Sequence, residues 1–393
     1  MDIVKDSKID WLGLKWFFVG ISLILIVISA ISVVTRGLNL GVDFTGGTLV
    51  HVKFTEEPDL DRIRLTLGEA GLKAEGVIRF DEVVQNEVQI RIARGSAEET
   101  LELTLGSNVV FEALLPEYDS DYMETGKLDL NNVSKGILSA HLQKLDPDAL
   151  GEGRPAAELV AHYDEISDKI INYRTEQSGI IHRFSELDQL DLAPGVVTSL
   201  NEEAYPGSFT VLSVESVGPK IGEELSTRAR TAIIIALVFM LAYIAVRFWP
   251  IYGLAALAAL FHDVFITLGA FALTQREISL TVVAALLTLV GYSINDTIVV
   301  FDRVRENLRL MRREDLSTVI NASINQTLNR TIMTSGMTFL AVGALYLFGG
   351  QVLRGFSFAL AVGIIVGTYS SIAIASPIVL WWQTRVEIRK TRS

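Results

Sequence analysis

Six stretches of about twenty mostly apolar residues constrain this chain more than any other feature of it. They are Trp16–Val34 (16–35 with its flank), Ala229–Phe248, Ile251–Thr274, Ile278–Phe301, Thr331–Phe348 and Leu353–Trp382. A helix needs about 20 such residues to cross the hydrocarbon of a bilayer. Backbone polar groups cannot stay unpaired in lipid, so each stretch must be helical. Only Trp249-Pro250 separates the second and third. The first could instead be a secretory signal. It is longer than a typical apolar signal core, and no small-x-small cleavage site follows it, so a retained anchor is expected.

Lys and Arg in short loops set the orientation of such a bundle. Lys5, Lys8 and Lys15 precede the first span. Arg303, Arg305, Arg309, Arg312, Arg313 and Arg330 lie between the fourth and fifth, and Arg385, Arg389, Lys390 and Arg392 follow the sixth. Six crossings put all three groups on one face, expected to be cytoplasmic. Residues 1–15, the loop 302–330 and residues 383–393 then lie inside, and 36–228 lie outside. The outer region holds 35 acidic and 17 basic residues, a balance of -18 within a chain total of -12. That acidity argues against nucleic acid as a partner. There are no cysteines, which excludes disulfides and thiolate metal sites.

Within 36–228 the pattern changes to that of a water-soluble α+β domain. Thr48–Phe54 alternates as a strand, after the tight turn that Gly46-Gly47 permits. Residues 58–71 read as a helix, 73–80 and 87–93 as strands, and 208–217 as a last strand. This is the ferredoxin-like order, with core segments 44–94 and 208–217 and both helices packed on one face of the sheet. Residues 95–207 exceed what that fold needs. The helical stretches Asn132–Leu145 and Pro155–Arg174 supply the second helix plus an insertion, with 115–155 as an alternative mobile loop. Gly37, Gly41, Asp43, Gly46 and Gly47 mark the domain entry and Gly218-Pro219 its exit, where hinges are expected.

Charged residues inside spans cost roughly 2.5–3.5 kcal/mol or more, so they are functional suspects. Asp296 lies in the fourth span, His262-Asp263 in the third, and Arg330 at the mouth of the fifth. Asp296 stands five residues from the inner end of its span, about 7–8 Å deep at 1.5 Å per residue. Arg330 opens the next span at the same face and can reach that depth. Thr288, Tyr292 and Asp296 share one helix face, as do Arg330, Thr334 and Thr338. Two such stripes suggest a hydrated seam. A shielded carboxyl whose ionisation answers to a nearby guanidinium could carry protons. A static buried ion pair that fixes packing, and plain surface exposure near the interface, are the other readings. Asp263 and Thr267 form a shorter, deeper stripe. His262 could join a proton relay or be a hydrogen-bonded structural histidine. Gly363, Gly367 and Ser371 repeat small residues every four, which suits close helix contact. No phosphate loop, His-Glu-x-x-His or serine elbow is present, so no ATPase and no cofactor are expected, and energy must come from an ion gradient or a partner.

Five blocks carry a resemblance: GVDFTGGT (41–48), SVGPKIGEEL (216–225), ALFHDVFITLGAFAL (259–273), GYSINDTIVVFDRVREN (291–307) and NRTIMTSGMTFLAV (329–342). In order and spacing they resemble the SecF branch of the SecD/SecF family of bacterial protein-export proteins. The resemblance implies a six-helix half of a resistance-nodulation-division transporter that pairs with SecD into a twelve-span unit. It implies association with the SecYEG channel and the ATPase SecA, and with YajC and YidC. It also implies unfolded preproteins as substrate, protons as the coupling ion, and the bacterial inner membrane as location. Asp296 and Arg330 match the family's proton-pathway carboxylate and arginine, and Thr334 is a weaker carry-over. The family's soluble domain is smaller, so 95–207 departs from the pattern. A proton-driven small-molecule exporter would need two large outer loops, and this chain has one.

Overall fold

The structure, a computed structural model, describes residues 9–72, 74–79, 86–92, 102–120, 125–150, 155–247 and 249–391. Lys5, Lys8, Arg392, Phe248 and the strand ends at 73, 80 and 93 lie outside the described residues, as do 121–124 and 151–154 of the stretch 115–155. The chain divides into two compact units. One comprises 1–45 and 223–393, the other Gly46–Gly222.

Among the described residues, six helical segments are long and apolar enough to cross a membrane, all in the first unit apart from the opening residues 219–222 of α8. They are α1 (Lys15–Arg36), α8 (Pro219–Arg247), α9 (Pro250–Thr274), α10 (Leu280–Leu310), α11 (Leu316–Phe348) and the pair α12 (Gly350–Ser370) and α13 (Ser376–Thr391). Between α12 and α13 the ladder widens into a π-helical turn at Ser371–Ala375. The bundle core joins Ala255, Ala259, Leu260, Phe301, Ile324 and Val379 in one cluster and Phe271, Val282, Leu289 and Leu360 in another. Residues 302–330, expected as a loop, are mostly helix: α10 and α11 run on past the apolar stretch and turn through 311–315. Polar bonds support the extension, with Asn307 Nδ2 donating to Ser323 Oγ at 2.9 Å and Arg303 Nε to Gln326 Oε1 at 2.6 Å. Residues 9–12 dock against this hairpin. Asn325 Oδ1 accepts from the Ile9 N–H and Trp11 Nε1, Asn321 Oδ1 accepts from the Leu12 N–H, and Leu12 is buried in the core.

The second unit starts with β1 (Gly47–Phe54), α3 (Leu60–Glu69), β2 (Ala74–Arg79), β3 (Glu87–Ile92) and α4 (Glu102–Tyr118). It ends with β6 (Phe209–Val217). The antiparallel sheet has the order β2-β3-β1-β6, the ferredoxin-like arrangement. Its inward residues Val50, Val52, Val88, Ile90 and Phe209 pack against Ile63 and Leu67 of α3 and Val110 and Leu114 of α4. Asp59 caps α3, accepting from the N–H groups of Asp61 and Arg62.

One expectation is corrected here. The second helix of the ferredoxin-like core is α4, not a helix from 132–145 or 155–174. Gly106 and Pro116 disguise it in the sequence, because both oppose helix formation. Burial of Val110, Ala113 and Leu114 overrides that local penalty. The insertion therefore follows α4. It contains β4 (Leu128–Asp129), α5 (Lys135–Leu145), α6 (Ala156–Glu176), α7 (Pro194–Glu203) and β5 (Ala204–Tyr205), plus a 3-10 turn at Phe184–Leu190. It has its own core of Leu138, Leu142, Tyr163, Ile170, Leu187 and Leu200.

Candidate functional site

The polar groups of the bundle interior gather where α9, α10, α11 and α12 meet. Two carboxylates anchor them. Asp263, on α9, has no exposed surface. Ser293 Oγ of α10 donates to its Oδ2 at 2.5 Å, and Ser370 Oγ of α12 donates to the same oxygen at 2.8 Å. His262 Nδ1 lies 2.9 Å from Oδ1, while His262 Nε2 is buried with no hydrogen-bond partner among the described residues. Thr267, expected to share the stripe, donates instead to the Asp263 backbone carbonyl. The expected small-residue seam is present on α12. Gly363 faces Leu289, and Gly367 faces Ser293 and Asp263, which lets α12 approach α10 closely. Ser371 Oγ, at the start of the π-helical turn, lies 2.9 Å from Thr297 Oγ1.

Asp296, on α10, is 3% exposed. Ser335 Oγ of α11 donates to its Oδ2 at 3.1 Å. Tyr292 Oη and Thr368 Oγ1 both donate to Ser335 Oγ, at 3.2 and 2.8 Å. One hydroxyl thus gathers α10, α11 and α12 around the acid. Arg330 and Asp296 form no ion pair within 4.0 Å among the described residues. Arg330 and Thr334 lie on the exposed side of α11 in this chain, and Thr334 Oγ1 donates to the Arg330 carbonyl. Thr288 and Thr338 likewise bond back to their own helices. Of the two expected stripes, Tyr292 and Asp296 reach α11, while Arg330 and Thr334 do not face them. The contact runs through Ser335, the neighbour of Thr334.

The domain-entry residues divide into two sets. Gly41 and Asp43 belong to the membrane unit, where the Gly41 N–H donates to Ile278 O and Asp43 Oδ2 accepts from the Leu280 N–H. Gly46 and Gly47 open the second unit with φ of 71° and 116°. Gly218 and Pro219 close it, Pro219 beginning α8. Gly37 caps α1 with φ 72°.

Sequence reasoning missed Ser293, Ser335, Thr368 and Ser370. Their signal was present, since hydroxyls at mid-span need partners when buried. Uncharged side chains carry a smaller penalty than carboxylates, so attention went to the acids.

Comparison with known proteins agrees with this architecture. Residues 196–385 match the family model for the C-terminal part of protein export membrane protein SecD/SecF, and 31–57 match the SecD/SecF GG motif. The protein translocase subunit SecF of Koribacter versatilis is 45% identical over 98% of this chain and 94% of its own length. That of Calditerrivibrio nitroreducens is 37% identical over 96% of each. The crystal structure of SecDF from Thermus thermophilus, a translocon-associated membrane protein, superposes with a TM-score of 0.63 at 30% identity, over 96% of this chain. This chain spans 39% of that longer one. Fold, motif order and full-length similarity agree: the chain belongs to the SecF branch of the SecD/SecF family of protein-export membrane proteins.

Proposed function

We propose that this chain is an accessory subunit of Sec preprotein translocation that works with SecD and draws on the proton gradient. The observation that carries the reading is Asp296. It is a carboxylate enclosed in a membrane span, held among the described residues by one rotatable hydroxyl, with a guanidinium near but not bonded to it. Proton binding and release at such an acid changes its demand for donors. Ser335 can then turn between Asp296 and its other partners, and Arg330 can move toward or away from the charge. Tyr292 and Thr334 border this station, and Asp263 with His262 form the adjoining part of the path.

The positive-inside rule supports a cytoplasmic position for the arginine-rich 303–313 hairpin and both termini, in a bacterial inner-membrane protein. The acidic unit 46–222 is then extracytoplasmic. Pairing with SecD is supported by the membrane-exposed Thr288, Gly291 and Asn295 of α10 and Arg330 and Thr334 of α11. These are costly to present to lipid, and a second helical bundle would cover them. Gly291 and Asn295 also line a groove of about 380 Å³ with Met240 and Tyr243 of α8. SecYEG with SecA, YajC and YidC are the further partners this role calls for, and unfolded preproteins its substrate.

The deciding experiment replaces Asp296 by Asn in the complex with SecD. Gradient-dependent preprotein release should be lost while the complex still assembles. Undiminished release would remove the proton-carrier reading and leave a scaffold.

A further inference from the structure

The helix that carries Asp296 is capped from outside itself. α10 begins at Leu280, and the first N–H groups of a helix have no intrahelical acceptor. Ser279, at the N-cap position, makes no side-chain cap bond; its hydroxyl lies 2.7 Å from Thr281 Oγ1 instead. The Leu280 N–H donates to Asp43 Oδ2 at 2.8 Å, a residue 237 positions earlier in the chain. A carboxylate at this end of a helix is favoured by both the free N–H groups and the helix dipole.

The rest of the segment is fastened to the same place. The Gly41 N–H donates to Ile278 O at 2.9 Å and the Ile278 N–H to Asn39 O at 2.8 Å, a short parallel bridge centred on Leu40 and Ile278. Asn39 Nδ2 donates to Gln275 O at 3.0 Å, and Arg36 Nη1 to Leu273 O at 2.7 Å. A Cβ on Gly41 would stand 2.7 Å from Glu277 Oε1 and 3.1 Å from Ile278 O, so a larger residue there displaces the Glu277 side chain and crowds the bridge. Three residues after Asp43 the chain enters the second unit at Gly46.

We propose that Asp43 is a positioning residue for α10: it ties the chain entering the soluble unit to the first turn of the helix bearing Asp296, so that a shift of that helix is passed directly into the soluble unit. This rests on Asp296 being the proton carrier. The linkage makes 36–43 part of the membrane machinery and leaves the bend to Gly46-Gly47.

The test uses the full chain assembled with SecD in proteoliposomes bearing the translocation channel. Asp43→Ala removes the acceptor, and Asp43→Asn keeps an oxygen at the same place. Gly41→Ala crowds the segment against Glu277 and Ile278 without changing charge. Asp43→Ala and Gly41→Ala should each speed amide hydrogen exchange across 278–284 and lower gradient-dependent translocation at least fivefold. Asp43→Asn should stay within twofold of the parent on both. The chain has no cysteines, so a Leu40→Cys/Ile278→Cys disulfide added to Asp43→Ala should restore activity when oxidised and lose it on reduction. Gradient-dependent translocation within twofold of the parent in either assembled Ala variant overturns the proposal. So does loss in Asp43→Asn equal to that in Asp43→Ala. If Asp296→Asn is itself silent, the carrier reading has failed; if Asp296→Asn is dead and Asp43→Ala is normal, the coupling role alone has failed.

Discussion

Both units bury carboxylates, but they hold them with different donors. In the soluble unit Asp129 accepts from the backbone N–H groups of Asn131 and Gly207, at 2.8 and 3.2 Å, and from Asn132 Nδ2 at 2.6 Å. Asp119 accepts from the Ser208 N–H with both oxygens. In the membrane unit Asp263 and Asp296 accept from serine hydroxyls, with His262 beside the first. Helix geometry dictates the contrast. Inside a helix the N–H groups are already spent on the carbonyls four residues back, so a mid-span acid can recruit only side chains. An acid held by backbone cannot change partners without local unfolding. One held by hydroxyls can, because a serine needs only a χ1 rotation.

The largest expected effect tests that contrast directly. Asp296→Asn should lower gradient-dependent translocation more than tenfold and leave the thermal unfolding midpoint of the detergent-solubilised chain within about 2 °C of the parent, since uncharged isosteres are well tolerated where one bond is at stake. A collapse of stability with activity would make Asp296 a structural acid like Asp129.

Next comes the converse. Asp129→Ala strands three donors at the junction of the insertion with β6 and should cost about 3 kcal/mol. Faster hydrogen exchange across 204–211 would report it. Unchanged exchange would mean that backbone-held acids in this unit are as replaceable as hydroxyl-held ones.

A third measurement uses pH. Burial lowers the pKa of His51, on β1, from 6.5 to about 4. The unfolded chain therefore binds a proton over that interval that the folded chain refuses. The contribution of His51 is fully present above pH 6.5 and is lost as pH falls toward 4, by about 3 kcal/mol. Burial pushes Asp119 and Asp129 the other way, above the usual carboxylate range, so their contribution is present at low pH and lost as pH rises. Comparing the parent with His51→Gln cancels the acids, and the variant should show a flatter decline between pH 6.5 and 4. Equal slopes would show that this histidine is not a buried neutral group.

The smallest effect is at Ser335. Ser335→Ala removes the hydroxyl that links Asp296 to Tyr292 and Thr368 and should reduce translocation about threefold with little loss of stability. A tenfold or greater loss would promote Ser335 from support to carrier.

The sequence disclosed most where the solvent was least forgiving. Lipid demands long apolar helices, so all six spans were legible, as were Asp263 and Asp296 within them. The ferredoxin-like strands followed from alternation, and the sheet order agrees with them. What stayed hidden was azimuth and long-range partnership. Equal depth suggested that Arg330 would meet Asp296, but depth does not say which way a side chain turns around its helix, and Ser335 occupies that direction. Asp43 looked like part of a hinge because its partner is 237 residues away. The helix α4 was concealed by Pro116, whose local cost is outweighed by contacts no linear window contains.

The docking of Ile9–Leu12 onto Asn321 and Asn325 bears on the order in which the molecule is made. The first span emerges from the ribosome long before its tether exists, since Ile9 and Asn325 are 316 positions apart. Until α11 has been synthesised, Ile9, Trp11 and Leu12 lack these hydrogen-bond partners. Once the asparagines arrive, the residues preceding the first span are fastened to the fifth, and only α12 and α13 are still to be added before the sixth span closes the bundle.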